Sequence, residues 1–233
     1  MQSFDLSRRL AAEALGTGFL VAAVVGSGIM AEKLADGDQA LALLCNTIPT
    51  GAVLFVIITV FLSVSGAHFN PAVSFVMMLR GDLTVGVMGA YMAAQIVGGC
   101  FGTLAAHLMF DLDAFQFSLH ARNGPSQWFA EFVATFGLLM AILGCVRFNK
   151  LDAIAPAVGL YITAAYWFTA STSFANPAVT IARSISDTFS GIAPGDVPAF
   201  VAAQLLGAAT ATYLLAWLFR GRDASAQEPA GNS

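Results

Sequence analysis

Two segments of this 233-residue chain carry the same hydrogen-bonding chemistry: Ser65-Gly66-Ala67-His68-Phe69-Asn70-Pro71-Ala72-Val73 and Ser173-Phe174-Ala175-Asn176-Pro177-Ala178-Val179. Each ends in Asn-Pro-Ala-Val after a long apolar run. Asparagine is a good helix N-cap, and its amide offers two N–H donors and a carbonyl acceptor. Proline suits the first turn of a helix, where its missing N–H would be unpaired anyway. Each motif therefore reads as a helix start with an amide at its tip. Two carboxyl groups, Glu13 and Glu131, stand within apolar runs elsewhere. No nucleophile pairs with a base, no metal-ligand cluster occurs, and no intramembrane acid and base suit ion coupling. Cys45, Cys100 and Cys145 lie in apolar stretches and read as small hydrophobes. These residues hold a solute or a loop; they do not make or break bonds. No enzyme activity, metal or cofactor is expected.

The elements that must position these groups are membrane spans. The chain is 58% hydrophobic and 10% charged, with a mean hydropathy of +0.76. A soluble domain carries roughly 25% charged residues, so this one cannot solvate a water-facing surface. A helical span needs about 20 largely apolar residues. Six runs qualify, near 10–30, 40–63, 84–109, 128–148, 153–170 and 197–219. The first carries Glu13 and no small-residue cleavage site follows it, so it is read as a retained span and not a signal peptide. The polar tail 221–233 is expected to be disordered. The net charge of −4 gives no hint of nucleic-acid binding.

The spans fall into two matching halves. Glu13-x-x-x-Thr17-x-x-Leu20 matches Glu131-x-x-x-Thr135-x-x-Leu138, and Ala94-Gln95-x-x-Gly98 matches Ala203-Gln204-x-x-Gly207. With the Asn-Pro-Ala pair, these matches keep one order along the chain. The first repeat is 1–110, the connecting loop 111–126 and the second repeat 127–220. Three spans per half is an odd number, so the second half enters the bilayer inverted, which places a pathway at the repeat interface near the midplane. With both termini cytoplasmic, Arg8, Arg9, Arg80, Arg147, Lys150, Arg220 and Arg222 lie inside, and Lys33, Arg122 and Arg183 outside. Positive-inside bias favours that orientation. Gly16, Gly18, Gly98, Gly99, Gly102 and Gly207 let helices approach closely.

After each Asn-Pro-Ala comes a segment too short to cross, 70–80 and 176–187. The pieces before them read as re-entrant loops, which survive at membrane depth only when buried by protein or lining a wet cavity. Two half-helices starting from opposite sides meet at their N-termini. Their dipoles put positive potential at the centre, which repels protons and cations. Asn70 and Asn176 donate to a passing oxygen there, and loop carbonyls from Gly66, Ala67, His68, Thr172 and Phe174 offer acceptors. Glu13 and Glu131 are expected to accept N–H groups of the loops, since a carboxyl in a span faces the bundle interior.

Six spans, inverted halves, paired Asn-Pro-Ala motifs on half-helices, Glu in spans one and four, and Ser-Gly-Ala-His before the first motif resemble the aquaporin (major intrinsic protein) family. The resemblance covers about residues 8–219. It implies an all-α, aquaporin-like integral membrane fold, a homotetramer with one pore per subunit, and passive flow of water and small neutral solutes across the lipid bilayer. The plasma (inner) membrane is the expected location. It also implies an outer filter at four positions, which here are Thr50, Ala164, Ser173 and Val179, if no insertion precedes Asn176. The family's usual arginine after the second motif is replaced by Val179. Such a ring, with no charged or aromatic side chain, is expected to be wide. It is similar to that of bacterial aquaglyceroporins associated with arsenic resistance.

Two alternatives stay open for Arg183, one helical turn after Val179: a charge in the outer mouth, or a structural arginine pairing with Asp187 or loop carbonyls. Phe174, Tyr166 and Trp167 are read as core- or lipid-packing aromatics. His68 is placed at the inner mouth, either titratable or locked by loop hydrogen bonds. The expected function is a passive channel for glycerol-like polyols, metalloid hydroxides such as arsenite or methylated arsenicals, and water. A water-selective channel with an atypical filter and a closed structural membrane protein are the alternatives.

Overall fold

The computed structural model describes residues 4–220, and its elements there are helices and turns. Eight α-helices follow in order: α1 Leu6–Leu34, α2 Gln39–Ser65, α3 Pro71–Leu79, α4 Val85–Met109, α5 Pro125–Arg147, α6 Ile154–Phe168, α7 Pro177–Arg183 and α8 Val197–Leu218. Six segments are long and apolar enough to cross a membrane, two of them counted with the 3₁₀ turn that precedes α6 or α8. Local signals set their starts. The Asp5 carboxyl accepts the Arg8 N–H, Asp38 accepts the Ala40 and Leu41 N–H groups, and Thr84 accepts that of Val87. These caps begin α1 and α2 slightly earlier than hydropathy alone predicts. The expectation for the tail 221–233 lies outside the described residues.

Helices α3 and α7 are the short segments that open on the Asn-Pro-Ala motifs, with 9 and 7 residues. At about 1.5 Å per residue each covers less than half of a hydrocarbon core about 30 Å thick. The first agrees with the expected 70–80 to within its caps. The second ends at Arg183, four residues short of the expected 187. Beyond it the chain turns to meet the connecting loop. The Ser118 N–H donates to Ser184 O at 3.0 Å and the Gln116 N–H to Ile185 O at 3.3 Å.

The core sits at the centre, where buried Leu20, Val24 and Val25 of α1 and Leu138, Leu139 and Ile142 of α5 surround the two half-helices. The outer surface is as apolar as the core, with Phe19, Phe101, Phe129, Phe168 and Trp217 all exposed. That arrangement suits lipid and not water. Helices α1 and α4 cross at Gly98, and α5 and α8 cross at Gly207. A β-carbon at Gly98 would collide with the Ala14 carbonyl, and one at Gly207 with the Phe132 carbonyl. The obstacle is backbone in both halves, so neither crossing can relax around a side chain. Without a hydrophobic drive between helices in lipid, such contact supplies the packing.

Gly98→Ala and Gly207→Ala are each expected to cost about 1–3 kcal/mol through overpacking. Gly86→Ala should not, because a β-carbon there meets open space. Thermal unfolding of the detergent-purified variants checks this; equal midpoints for all three would contradict the close crossings.

Candidate functional site

Each loop before a half-helix is held by the same set of groups. In the first half, Glu13 Oε1 accepts the Ser65 hydroxyl at 2.6 Å and the His68 N–H at 3.0 Å, and Oε2 accepts the Phe69 N–H at 2.7 Å and Gln95 Nε2 at 2.8 Å. In the second, Glu131 accepts the Phe174 N–H at 2.9 Å, the Ala175 N–H at 2.8 Å and Gln204 Nε2 at 2.6 Å. Gln95 also donates to Ser74 Oγ and Gln204 to Thr180 Oγ1, tying each loop to its half-helix. Both glutamates are fully buried. The glutamines were visible in the sequence as repeat matches, yet their part in this network was not. Their equivalent placement was the available signal.

The loops need this support because their backbone is left-handed at matching places. Gly66, Ala67 and Phe69 have φ of 90°, 50° and 49°; Thr172, Ser173 and Ala175 have 60°, 51° and 47°. Left-handed φ at a residue with a β-carbon costs roughly 1–2 kcal/mol. The carboxyl groups supply the fixed acceptors that hold it.

The half-helices meet at the asparagines. The Asn70 side-chain carbonyl accepts the Ala72 N–H, and that of Asn176 accepts the N–H groups of Ala178 and Val179. Each amide nitrogen crosses to the other loop: Asn70 Nδ2 donates to Ala175 O and Asn176 Nδ2 to Phe69 O, both at 2.8 Å. One N–H per amide remains, and both asparagines line the same cavity. Pro71, Ala72, Pro177 and Ala178 are buried behind them in the first turns.

That cavity, about 240 Å³, runs along the repeat interface. Its walls are helical stripes at four-residue spacing: Thr50, Leu54, Ile58 and Leu62 of α2, and Ile154, Val158, Ile162 and Tyr166 of α6. The stripe on α6 corrects one of the expected positions. Ala164 is exposed on the outside of the helix, half a turn from the wall. The wall place is taken two residues further along the helix. Tyr166 faces the cavity instead, its hydroxyl 3.3 Å from Thr50 Oγ1. The four-residue rhythm 154, 158, 162, 166 was in the sequence and would have found it.

At this end the structure brings Thr50, Ser173 and Val179 together with Tyr166, Phe174 and Arg183 on the wall. The expectation of a ring without aromatic or charge is overturned by Tyr166 and Arg183. Phe174 is likewise a wall residue, whereas Trp167 is exposed and Thr172 is not among the lining residues. Arg183 is 2% exposed, its Nε–H donates to Ser190 O, and its guanidinium carbon lies 3.4 Å from the Phe174 ring centroid. Asp187 is engaged elsewhere, by the Leu119 N–H. So the arginine meets a loop carbonyl and also faces the cavity. Arg122 of the connecting loop lies over the same ring at 5.0 Å and donates to Gly191 O. Desolvation first, then the nearby Arg122 and Arg183, push the loop histidine His120 below the usual histidine value.

At the opposite end Gly66, Ala67 and His68 line the wall. The His68 ring is held 3.0 Å from Ser74 Oγ and 5.2 Å from the Tyr91 ring. Arg9 Nε donates to Tyr91 Oη, which donates to Ser65 O, so the start of α1 is at this end. Arg147 at the end of α5 holds Phe219 O, which brings the end of α8 to the same face.

The family described as "Major intrinsic protein" matches residues 1–152 and 127–232 in two overlapping stretches. Aquaglyceroporin AqpS of Rhizobium meliloti (strain 1021) is 60% identical over 220 residues, 94% of either chain. Aquaporin NIP1-2 of Arabidopsis thaliana is 30% identical over 169 residues, 69% of this chain and 56% of that one. Among solved structures, the aquaglyceroporin from Plasmodium falciparum superposes with a TM-score of 0.71 at 22% identity, over 92% of this chain and 99% of that one, a likeness of fold.

Glu131→Gln turns one acceptor into a donor facing donors. A buried N–H left unpaired costs about 1–3 kcal/mol. The variant is expected to unfold at lower temperature in detergent and to lose at least half of its solute flux in liposomes; wild-type behaviour in both assays would contradict the role of the carboxyl in holding the loop.

Proposed function

The chain belongs to the major intrinsic protein family, a family of multi-pass membrane channels and not of enzymes, and on that premise we propose that it is a passive channel for small uncharged solutes and water. The observation that supports this most directly is the pair of asparagine amides, cross-linked at the meeting half-helix starts and lining one cavity. A passing oxygen exchanges water for an amide N–H at the midpoint and for loop carbonyls on either side. The apolar stripes between these contacts hold no solute tightly, which passage requires. Among the described residues no group of His, Cys, Asp and Glu is arranged to hold a metal ion.

The solutes we assign are glycerol-like polyols and uncharged metalloid hydroxides such as arsenite or methylated arsenicals. Support comes from the similarity to an aquaglyceroporin over nearly the whole chain. It also comes from Thr50, Ser173 and Val179, three small side chains at the Arg183 end. A small triol needs both room and hydrogen-bond partners, and this end offers both. The start of α1 and the end of α8 on the His68 face, together with the positive-inside bias, support cytoplasmic termini in the plasma (inner) membrane. The homotetramer implied by the family stands as part of the same proposal.

Liposomes carrying the protein should swell in inward gradients of glycerol, urea and arsenite. Fast water flux with glycerol and arsenite excluded would leave the water-selective reading, and assembled protein with no flux at all would leave the structural one. Val179→Arg narrows the Arg183 end and is expected to cut glycerol flux about tenfold while water flux falls less. Equal losses at normal expression would count against Val179 lining the filter.

A further inference from the structure

The proposal that this is a neutral-solute channel leaves one buried group without a role: the guanidinium of Arg183. Buried cations are normally paired with a carboxylate. Among the described residues the carboxylate ion pairs are Arg8–Asp5 and Arg80–Asp82, both away from this site. Arg183 instead spends its Nε–H on Ser190 O and has its guanidinium carbon over the Phe174 ring. Its terminal nitrogens meet no protein acceptor among the described residues, and the side chain is part of the cavity wall. A second polar group is in the same position. Ser173 is 2% exposed, lines the same end, and its hydroxyl has no hydrogen-bond partner. Donors and a hydroxyl left unpaired on one wall are matched by a ligand that carries its own oxygens.

We propose that Arg183 is the specificity-determining cation of this channel: with the Ser173 hydroxyl it receives the oxygens of an uncharged solute, and its fixed charge turns cations away. Arg183 sits one helical turn beyond Val179, and Phe174 and Ser190 determine where its guanidinium rests. The charge is held in a largely apolar wall, where solvent and salt screen it less than they would at an open surface. Arg122, 5.0 Å from the centroid of the same Phe174 ring, adds a second positive charge nearby. Phe174 supplies the cation–π contact, so its ring aims the guanidinium, and Ser173 precedes it in the chain. The inference rests on the channel reading above and names the residue that sets its selectivity.

The test uses full-length protein in liposomes, with proton and sodium leak read beside glycerol swelling. Arg183→Gln and Arg183→Val are expected to raise cation leak by about tenfold or more, with glycerol flux reduced but still measurable. Arg183→Lys, which keeps the charge, should stay tight. Val179→Arg combined with Arg183→Val moves the charge back one turn and should restore exclusion that Arg183→Val loses. Ser173→Ala should lower glycerol flux several-fold with cation leak unchanged. Glycerol-conducting Arg183→Gln and Arg183→Val variants that leak no more than wild type would overturn the proposal while leaving the channel reading intact. A relocated charge that fails to reseal the Arg183→Val channel would overturn it equally. Wild-type protein that passes no solute would instead end the channel reading, and this inference with it.

Discussion

The structure depends on two buried carboxyl groups that hold non-helical backbone inside a membrane. Glu13 and Glu131 lie at the same place in the two repeats, and each accepts consecutive loop N–H groups just ahead of an asparagine. Hydrocarbon offers those N–H groups nothing, and each left unpaired costs several kcal/mol. A helix would satisfy them internally, but a helix would also point its carbonyls along its own axis and leave none for a solute. The left-handed residues of each loop are therefore the condition for a lined passage, and the carboxyl groups are the condition for the left-handed residues. Removing either carboxyl group would remove the loop's acceptors without touching the cavity wall itself.

Duplication explains why this solution needs few residues. One glutamate, one glutamine and one capped half-helix, inverted and repeated, give two loops whose asparagines reach across to each other's carbonyls. Neither half closes the site alone: Asn70 needs Ala175 O, and Asn176 needs Phe69 O. The glycine crossings serve the same end. Gly98 against Ala14 and Gly207 against Phe132 bring α4 and α8 close enough to α1 and α5 for Gln95 and Gln204 to touch the carboxyl groups.

Much of this was legible in the sequence, because it lies in periodicity and repetition. Apolar run lengths gave the six spans, the Asn-Pro pair gave the half-helix starts, and the repeat placed Glu13 beside Glu131. What was not legible depends on the end where symmetry fails. A position carried over from a family by counting backward from Asn176 fixes Ala164 only if the intervening loop keeps its length, and the wall residue found here is two positions further on. Helical rhythm depends on no such assumption and leads to Tyr166. The length of α7 was also hidden, since it ends where Ser184 and Ile185 meet the connecting loop, a contact between segments about 68 residues apart. Arg183 combined both readings given it, bonding a loop carbonyl while facing the cavity, because a long side chain can have its stem and Nε in the wall and its terminus in the passage.

Shifting a cation by one turn along a short helix changes what a narrow passage can select. A guanidinium projecting directly from the position of Val179 would occupy the space that a solute must cross, so that size and charge would be filtered by one group. From Arg183, over the Phe174 ring, the guanidinium lies along the wall, and on the proposed reading Val179 leaves the width to the solute. Electrostatic repulsion falls off only as the inverse of distance in a low-dielectric passage, whereas steric exclusion vanishes once a side chain withdraws by the width of an atom. A wall cation therefore keeps most of its effect on ions while giving up most of its effect on size. On the channel reading proposed above, that asymmetry would let the passage be wide for neutral oxygen-bearing molecules while staying closed to protons and metal ions, with the valine and the arginine as one device read from two positions of the same helix.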